Sequence, residues 1–204
     1  MSVAGRKRWL LAALLLPLVW LAAKALLWGL GANPIEAITR FLGDWALRLL
    51  ILTLAITPAA RLVPGLGVLR SYRRMMGLAA FFYALAHVSS YVGLDQFFDW
   101  GEIGRDIAKR TYITVGMTVF LLLLPLAVTS TDAMVRRLGG RNWKRLHRLV
   151  FPAAILACLH YFMMVKVKFG IEPALYALAV AVLLAARLVW ALRGASRLGE
   201  RVRP

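Results

Sequence analysis

The sequence is poor in the residues that usually carry chemistry. It has three histidines, one cysteine and nine acidic residues in 204 positions. A single cysteine excludes an internal disulfide and any metal site of paired-cysteine spacing. There is no CxxCH stretch, which argues against covalent c-type haem attachment. No GxGxxG fingerprint occurs, so a Rossmann-type site for NAD(P)H is not expected. Polar segments long enough to form a soluble domain are lacking too. Cys158 lies in an apolar run and reads as an inert small core residue, the usual state of a buried free thiol.

What is present is apolar. Hydrophobic residues make up 61% of the chain, and the mean hydropathy is +0.72. A soluble domain sits nearer half apolar. Six apolar runs stand out, at roughly 9–30, 41–59, 75–94, 111–129, 149–167 and 173–192. Each approaches the ~20 residues needed to cross a ~30 Å hydrocarbon core as a helix. The first run follows Arg6, Lys7 and Arg8 like a signal peptide, but it is too long for a signal h-region and reads as a retained span. The expectation is an all-α integral membrane protein: a single transmembrane domain over residues 1–204, built as a six-helix bundle.

The formal charge is +17, a value that by itself suggests nucleic acid. Its distribution removes that reading. With the N-terminus placed inside, seventeen of the 26 Lys and Arg fall in inner segments and six in outer ones. This is the positive-inside pattern of a chain with both termini in the cytoplasm. Four of the nine acids fall in one outer loop, Asp95, Asp99, Glu102 and Asp106. That loop also carries Phe97, Phe98 and Trp100. It reads equally well as a solvated loop with an aromatic interfacial anchor and as part of a docking surface for a partner.

Ionisable groups inside a bilayer are costly, and they mark functional candidates. His87 lies thirteen residues past Arg74 and His160 twelve past Arg148, on two spans that both run outward. At 1.5 Å per residue each is about 18–20 Å from the inner edge. Two imidazoles at equal depth on separate helices suit the clamping of a flat macrocycle, one on each face. Small residues precede both: Gly77, Ala80 and Ala84 before His87, Ala153 and Ala157 before His160. Small residues also line ordinary helix contacts. Met163 and Met164 suit either a ring contact or plain core. Bis-imidazole haem b is one reading of the pair. Hydrogen-bonded structural histidines, or a proton path in a transporter or scaffold, are the others. A transporter, however, should show more intramembrane carboxylates or broken helices at mid-depth.

His147 sits at the inner edge among Arg141, Lys144, Arg145 and Arg148. It is about 20 Å along the helix from His160. A second bis-histidine site would need its partner near thirteen or fourteen residues before His87, where Arg74 and Arg73 stand. On an ideal helix His147 and His160 would also be about 140° out of phase, although Pro152 between them favours a kink. Arg48, mid-span in the second helix, is placed either to neutralise a haem propionate or to snorkel. The cluster Arg70, Arg73, Arg74, Arg141, Lys144 and Arg145 suits a flavin phosphate as well as the topological signal. Trp143 suits ring stacking on a flavin or an interfacial anchor.

The stretches "RRMMGLAAFFYALAHVSSYVGLDQ", "NWKRLHRLVFPAAILACLHYF" and "WALRLLILTLAITPAARL" resemble the MsrQ (YedZ) family, within the ferric-reductase-like transmembrane superfamily. The resemblance covers nearly the whole chain. It implies a haem b subunit, with one haem or two, in the inner membrane of a bacterium. It implies electron transfer to MsrP, a periplasmic molybdopterin enzyme that reduces methionine sulfoxide in oxidised envelope proteins. FMN binding and electrons from the quinone pool or a flavin donor are implied as well. In the wider superfamily two histidines on each of two helices hold two haems; here Arg73 and Arg74 break that pattern. His87 and His160, with His147 as a third candidate, are the expected iron ligands. Arg48, Arg73, Arg74 and Trp143 are the expected cofactor contacts.

Overall fold

The computed structural model describes residues 3–164 and 171–201. The elements among them are helical: α1 (Val3–Leu27), α2 (Pro34–Leu62), α3 (Arg73–Ser90), α4 (Trp100–Lys109), α5 (Thr111–Val128), α6 (Asp132–Leu138), α7 (Gly140–Leu146), α8 (Val150–Met164) and α9 (Glu172–Arg201). Short turns of tighter or wider pitch join some of them. A 3₁₀ turn covers Leu66–Ser71, a π turn Tyr91–Asp95 and a second 3₁₀ turn His147–Leu149. Among the described residues six segments are long and apolar enough to cross a membrane: Gly5–Leu27, Pro34–Leu62, Arg73–Asp95, Thr111–Val128, Gly140–Met164 and Glu172–Arg193. The chain is a multi-pass membrane protein. The end of the fifth expected run, 165–167, and the lysines Lys166 and Lys168 lie outside the described residues.

Local chemistry explains where helices begin. Asn33 caps α2 by accepting from the Glu36 amide (3.2 Å), and Pro34 occupies the first turn, where its missing N–H costs nothing. Asp99 caps α4 through the Glu102 amide (2.9 Å) and Thr131 caps α6 through the Met134 amide (3.2 Å). The fifth span is longer than expected at its start and is not one continuous helix. Its break at His147–Leu149 precedes Pro152, which has no N–H for the Arg148 carbonyl and so cannot extend the helix backwards.

Helix α2 packs chiefly on α3 and α5 on α8, with α9 against α8 and α2. The contacts are tight because the residues are small: Ala153 and Ala154 are fully buried and Ala80 nearly so. Leu47, Leu49, Leu50, Leu54 and Phe81 fill the space between. Helix α1 is peripheral and is pinned by Tyr83, whose hydroxyl donates to the Leu14 carbonyl (2.8 Å). The outward faces are apolar, as Leu121, Ile155 and Leu178 show. In water such faces would be a liability; in hydrocarbon they are the solvent-matched surface.

Candidate cofactor site

Among the described residues two cavities stack along the bundle, named outer and inner after the orientation expected from the distribution of Lys and Arg. The outer one, of about 420 Å³, lies between α2, α3, α5 and α8 and is lined by His87, His160, Gly43, Gly116, Ala84 and Ala157 among others. The inner one, of about 600 Å³, is lined by His147, Trp143 and a group of cations. Leu50 and Leu123 line both, so the cavities abut. Phe81 of the inner cavity stacks on Phe120 of the outer, with centroids 5.7 Å apart.

In the outer cavity the imidazoles of His87 and His160 face each other, with centroids 6.2 Å apart and planes at 75°. An imidazole–metal bond is about 2.0–2.1 Å long and the ring radius about 1.1 Å, so two imidazoles that shared one ion would have centroids up to roughly 6.3 Å apart. The spacing therefore fits one metal ion between the rings. The tautomers fit as well. His87 Nδ1 is 2.8 Å from the Thr39 carbonyl oxygen, and His160 Nδ1 is 2.8 Å from that of Tyr112. A carbonyl only accepts, so each Nδ1 carries the proton and donates. In the neutral ring Nε2 is then left with its lone pair free. A backbone or carboxylate partner on the second nitrogen is the usual support of a metal-bound histidine.

Clearance for the rings comes from two glycines. A Cβ on Gly43 would lie 3.0 Å from His87 Nδ1 and 3.1 Å from its Cε1. A Cβ on Gly116 would lie 2.8 Å from His160 Cε1 and 3.0 Å from its Nδ1. Both histidines thus lie on the bare backbone of a neighbouring helix, and there they reach a carbonyl. Sequence reasoning missed Gly43, Gly116, Thr39 and Tyr112. The available signal was that each glycine is the single one in its span, a position that often marks close approach of another group.

The inner cavity has a different character. Arg70, Arg73, Arg74, Lys144, Arg148 and Arg187 line it, with no Asp or Glu among its described lining residues. His147 stacks on Trp143, with centroids 3.8 Å apart at 27°. Its Nε2 is 3.1 Å from Thr129 Oγ1. That hydroxyl spends its proton on the Pro125 carbonyl (2.6 Å), so His147 Nε2 is the donor. The proton therefore sits on the opposite nitrogen from the outer pair. Trp143 Nε1 donates to the Thr129 carbonyl (2.9 Å), which locks the stack to the end of α5. The break at His147–Leu149 turns both His147 and His160 toward cavity interiors, despite their phase on an ideal helix.

Arg187 of α9 is a charge within an apolar span. Its guanidinium donates to the Leu54 carbonyl (2.6 Å) and lies 5.5 Å from the Phe151 ring centroid. Leu54 is four residues before Pro58, which has no N–H to give it. In hydrocarbon that freed carbonyl needs another donor, and Arg187 supplies it. At the same end Arg73 donates to Thr57 Oγ1 (3.2 Å), and Arg74 pairs with Asp132. Arg48 lines neither cavity. Its Nε donates to Tyr176 of α9 (2.7 Å), and its guanidinium lies over Trp45.

Comparison with known proteins agrees with this architecture. A family model described as the ferric reductase like transmembrane component matches residues 42–158. A protein of Rhodospirillum rubrum is 60% identical over 181 residues, covering 89% of this chain and 86% of its own length. One from Herminiimonas arsenicoxydans is 50% identical, over 94% of this chain and 88% of its own. One from Caulobacter vibrioides is 49% identical, over 85% and 81%. All three are named protein-methionine-sulfoxide reductase heme-binding subunit MsrQ.

Proposed function

Because this chain belongs to the MsrQ family of ferric-reductase-like transmembrane proteins, we propose that it is the haem b-binding, electron-carrying membrane subunit of a protein-methionine-sulfoxide reductase system. Family membership favours this membrane redox role over the transporter or scaffold reading. The observation that carries it is the outer pair: two facing imidazoles with both Nδ1 protons on backbone carbonyls and both Nε2 lone pairs free.

His87 and His160 hold the haem in the outer cavity. When bound there, its iron supplies a one-electron ferric/ferrous couple whose potential follows ligation, burial and nearby charge. The carbonyls of Thr39 and Tyr112 fix the orientation of the two rings. Gly43 and Gly116 give them room, and Leu47, Leu50, Leu123 and Phe120 keep water out of the inner side of the cavity.

The single transmembrane domain sits in a bacterial inner membrane with both termini in the cytoplasm, and its basic cavity faces inward. That cavity admits electrons from the quinone pool or from a cytoplasmic flavin donor. Its arginines suit the phosphate of FMN, and the Trp143–His147 stack offers an aromatic wall for an isoalloxazine ring. Electrons leave at the outer end toward the periplasmic molybdopterin subunit MsrP, which repairs oxidised envelope proteins.

Spectroscopy of the purified protein tests this. It should show a Soret band and a b-type pyridine haemochrome. His87→Ala and His160→Ala should each lose most of the haem. His147→Ala should keep the outer haem while slowing its reduction by the donor. Wild-type protein that carries no haem after haem-replete expression would overturn the reading. So would a His147→Ala protein without haem beside a His160→Ala protein that keeps it.

A further inference from the structure

The segment after α3 is costly in backbone terms. Phe97 (φ 45°) and Phe98 (φ 63°) are consecutive left-handed residues, and both are large. Glycine or asparagine would adopt this conformation cheaply at a helix C-terminus. Here two aromatic rings take it instead. Backbone hydrogen bonds hold the reversal: the Gln96 amide donates to Tyr91 (3.0 Å), that of Phe98 to Val92 (2.9 Å) and that of Asp99 to Gln96 (2.8 Å). Phe98 lies over Gly93, where a Cβ would come within 3.3 Å of the ring.

The rings are not spent on the core. Phe97 is 76% exposed, Phe98 61% and Trp100 69%, and Phe98 and Trp100 lie 6.4 Å apart. Beside them Asp95 and Asp99 are exposed, and among the described residues neither makes a salt bridge. Asp99 accepts the Glu102 amide and Asp95 accepts from Gln96, so both keep their charge at the patch. The neighbouring charges are spent elsewhere: Glu102 pairs with Arg105, and Arg110 with Asp106.

The patch is continuous with the outer cavity. Tyr91 and Asp95, at the two ends of the π turn, line that cavity. Tyr91 donates to Asp106 (3.0 Å), and Arg110 binds the other Asp106 oxygen (2.9 Å). These two contacts on the buried Asp106 carboxylate tie α4 to the turn and give the patch its support. His87 is eight residues before Asp95, at most about 12 Å along the axis.

We propose that Phe97, Phe98 and Trp100, flanked by Asp95 and Asp99, form the docking platform for a soluble partner with a basic-rimmed apolar patch. Exposed aromatics at the centre of a patch are the usual anchors of protein interfaces. The two carboxylates, bonded only to neutral donors among the described residues, select a cationic rim and disfavour burial among lipid phosphates. The position at the cavity mouth places the partner where electrons leave. This rests on the proposed electron transfer to a periplasmic catalytic subunit.

The test uses the full chain in nanodiscs and the purified MsrP subunit of the same bacterium, with binding followed by biolayer interferometry and electron delivery by haem reoxidation. Trp100→Ala, and separately Phe97→Ser with Phe98→Ser, should weaken binding at least tenfold and leave the Soret spectrum unchanged. Asp95→Asn with Asp99→Asn should flatten the salt dependence of the association rate. Brominated lipids should quench wild-type fluorescence no more than that of Trp100→Phe, because Trp100 faces the aqueous phase. Unchanged binding in the aromatic variants would overturn the platform, as would strong bromolipid quenching of Trp100. A wild-type chain that neither binds the catalytic subunit nor reduces it would overturn the functional reading itself, and the platform with it.

Discussion

Gly116→Ala adds one methyl group where His160 lies. The new Cβ would stand 2.8 Å from Cε1, 3.0 Å from Nδ1 and 3.3 Å from Nε2 of that ring. Carbon–carbon contact becomes favourable only near 3.5–4.0 Å, so a shift of about 0.7 Å or more is required. The ring cannot make it freely, because Nδ1 is tied to the Tyr112 carbonyl at 2.8 Å on the same helix. Either that hydrogen bond lengthens or α5 and α8 part. Overpacking of this kind costs about 1–3 kcal/mol. The helix-propensity gain of alanine over glycine returns at most about 1 kcal/mol. If the strain falls on the ligand geometry, haem affinity drops by about 5- to 150-fold, at 1.4 kcal/mol per factor of ten. Gly43→Ala should do less, because its nearest approach is 3.0 Å. Gly104→Ala on α4, with open space around it, should have no effect on haem. Haem titration of the apoprotein, read at the Soret band, gives the three affinities. Full affinity in Gly116→Ala would refute the claim that bare backbone clearance sets the position of His160.

Two further outcomes follow from the inner end. Arg187→Met leaves the Leu54 carbonyl without its donor, which should cost about 1–3 kcal/mol of stability; adding Pro58→Ala restores a helical N–H and should recover most of the loss, measured by thermal unfolding in detergent as a double-mutant cycle. The Arg74 guanidinium hydrogen-bonds Asp132 and holds its carboxyl below the usual carboxylate range. A lowered folded-state pKa gives a contribution present above the unfolded value of about 3.9 and lost as pH falls through the folded one. Wild type and Asp132→Asn should therefore differ slightly in melting temperature at neutral pH and low salt, and converge in acid; a constant difference would refute the pairing.

Much of the fold was legible because membrane insertion is a local constraint. Each span must be about twenty apolar residues long whatever its neighbours do. The pairing of His87 with His160 was legible for a similar reason, since helix rise converts sequence distance into depth. The break in the fifth span was half legible: Pro152 marked it, but not that the helix would part at His147–Leu149. The role of Arg187 was hidden, since it depends on a proline in another helix.

The sequence by itself determined a six-span membrane protein and two histidines at one depth. Both follow from hydropathy and helix pitch, which are properties of each segment alone. Only the tertiary structure decided which nitrogen of each imidazole is free. The partner carbonyls of His87 and His160 are each 48 residues away in the chain, on helices that approach only because Gly43 and Gly116 lack a side chain. Packing likewise divided the interior into an outer cavity with facing imidazoles and an inner one ringed by cations. It also set His147 apart, by placing its Nε2 on the Thr129 hydroxyl. Hydrogen bonds that fix a tautomer are made across helices, and no local pattern encodes them.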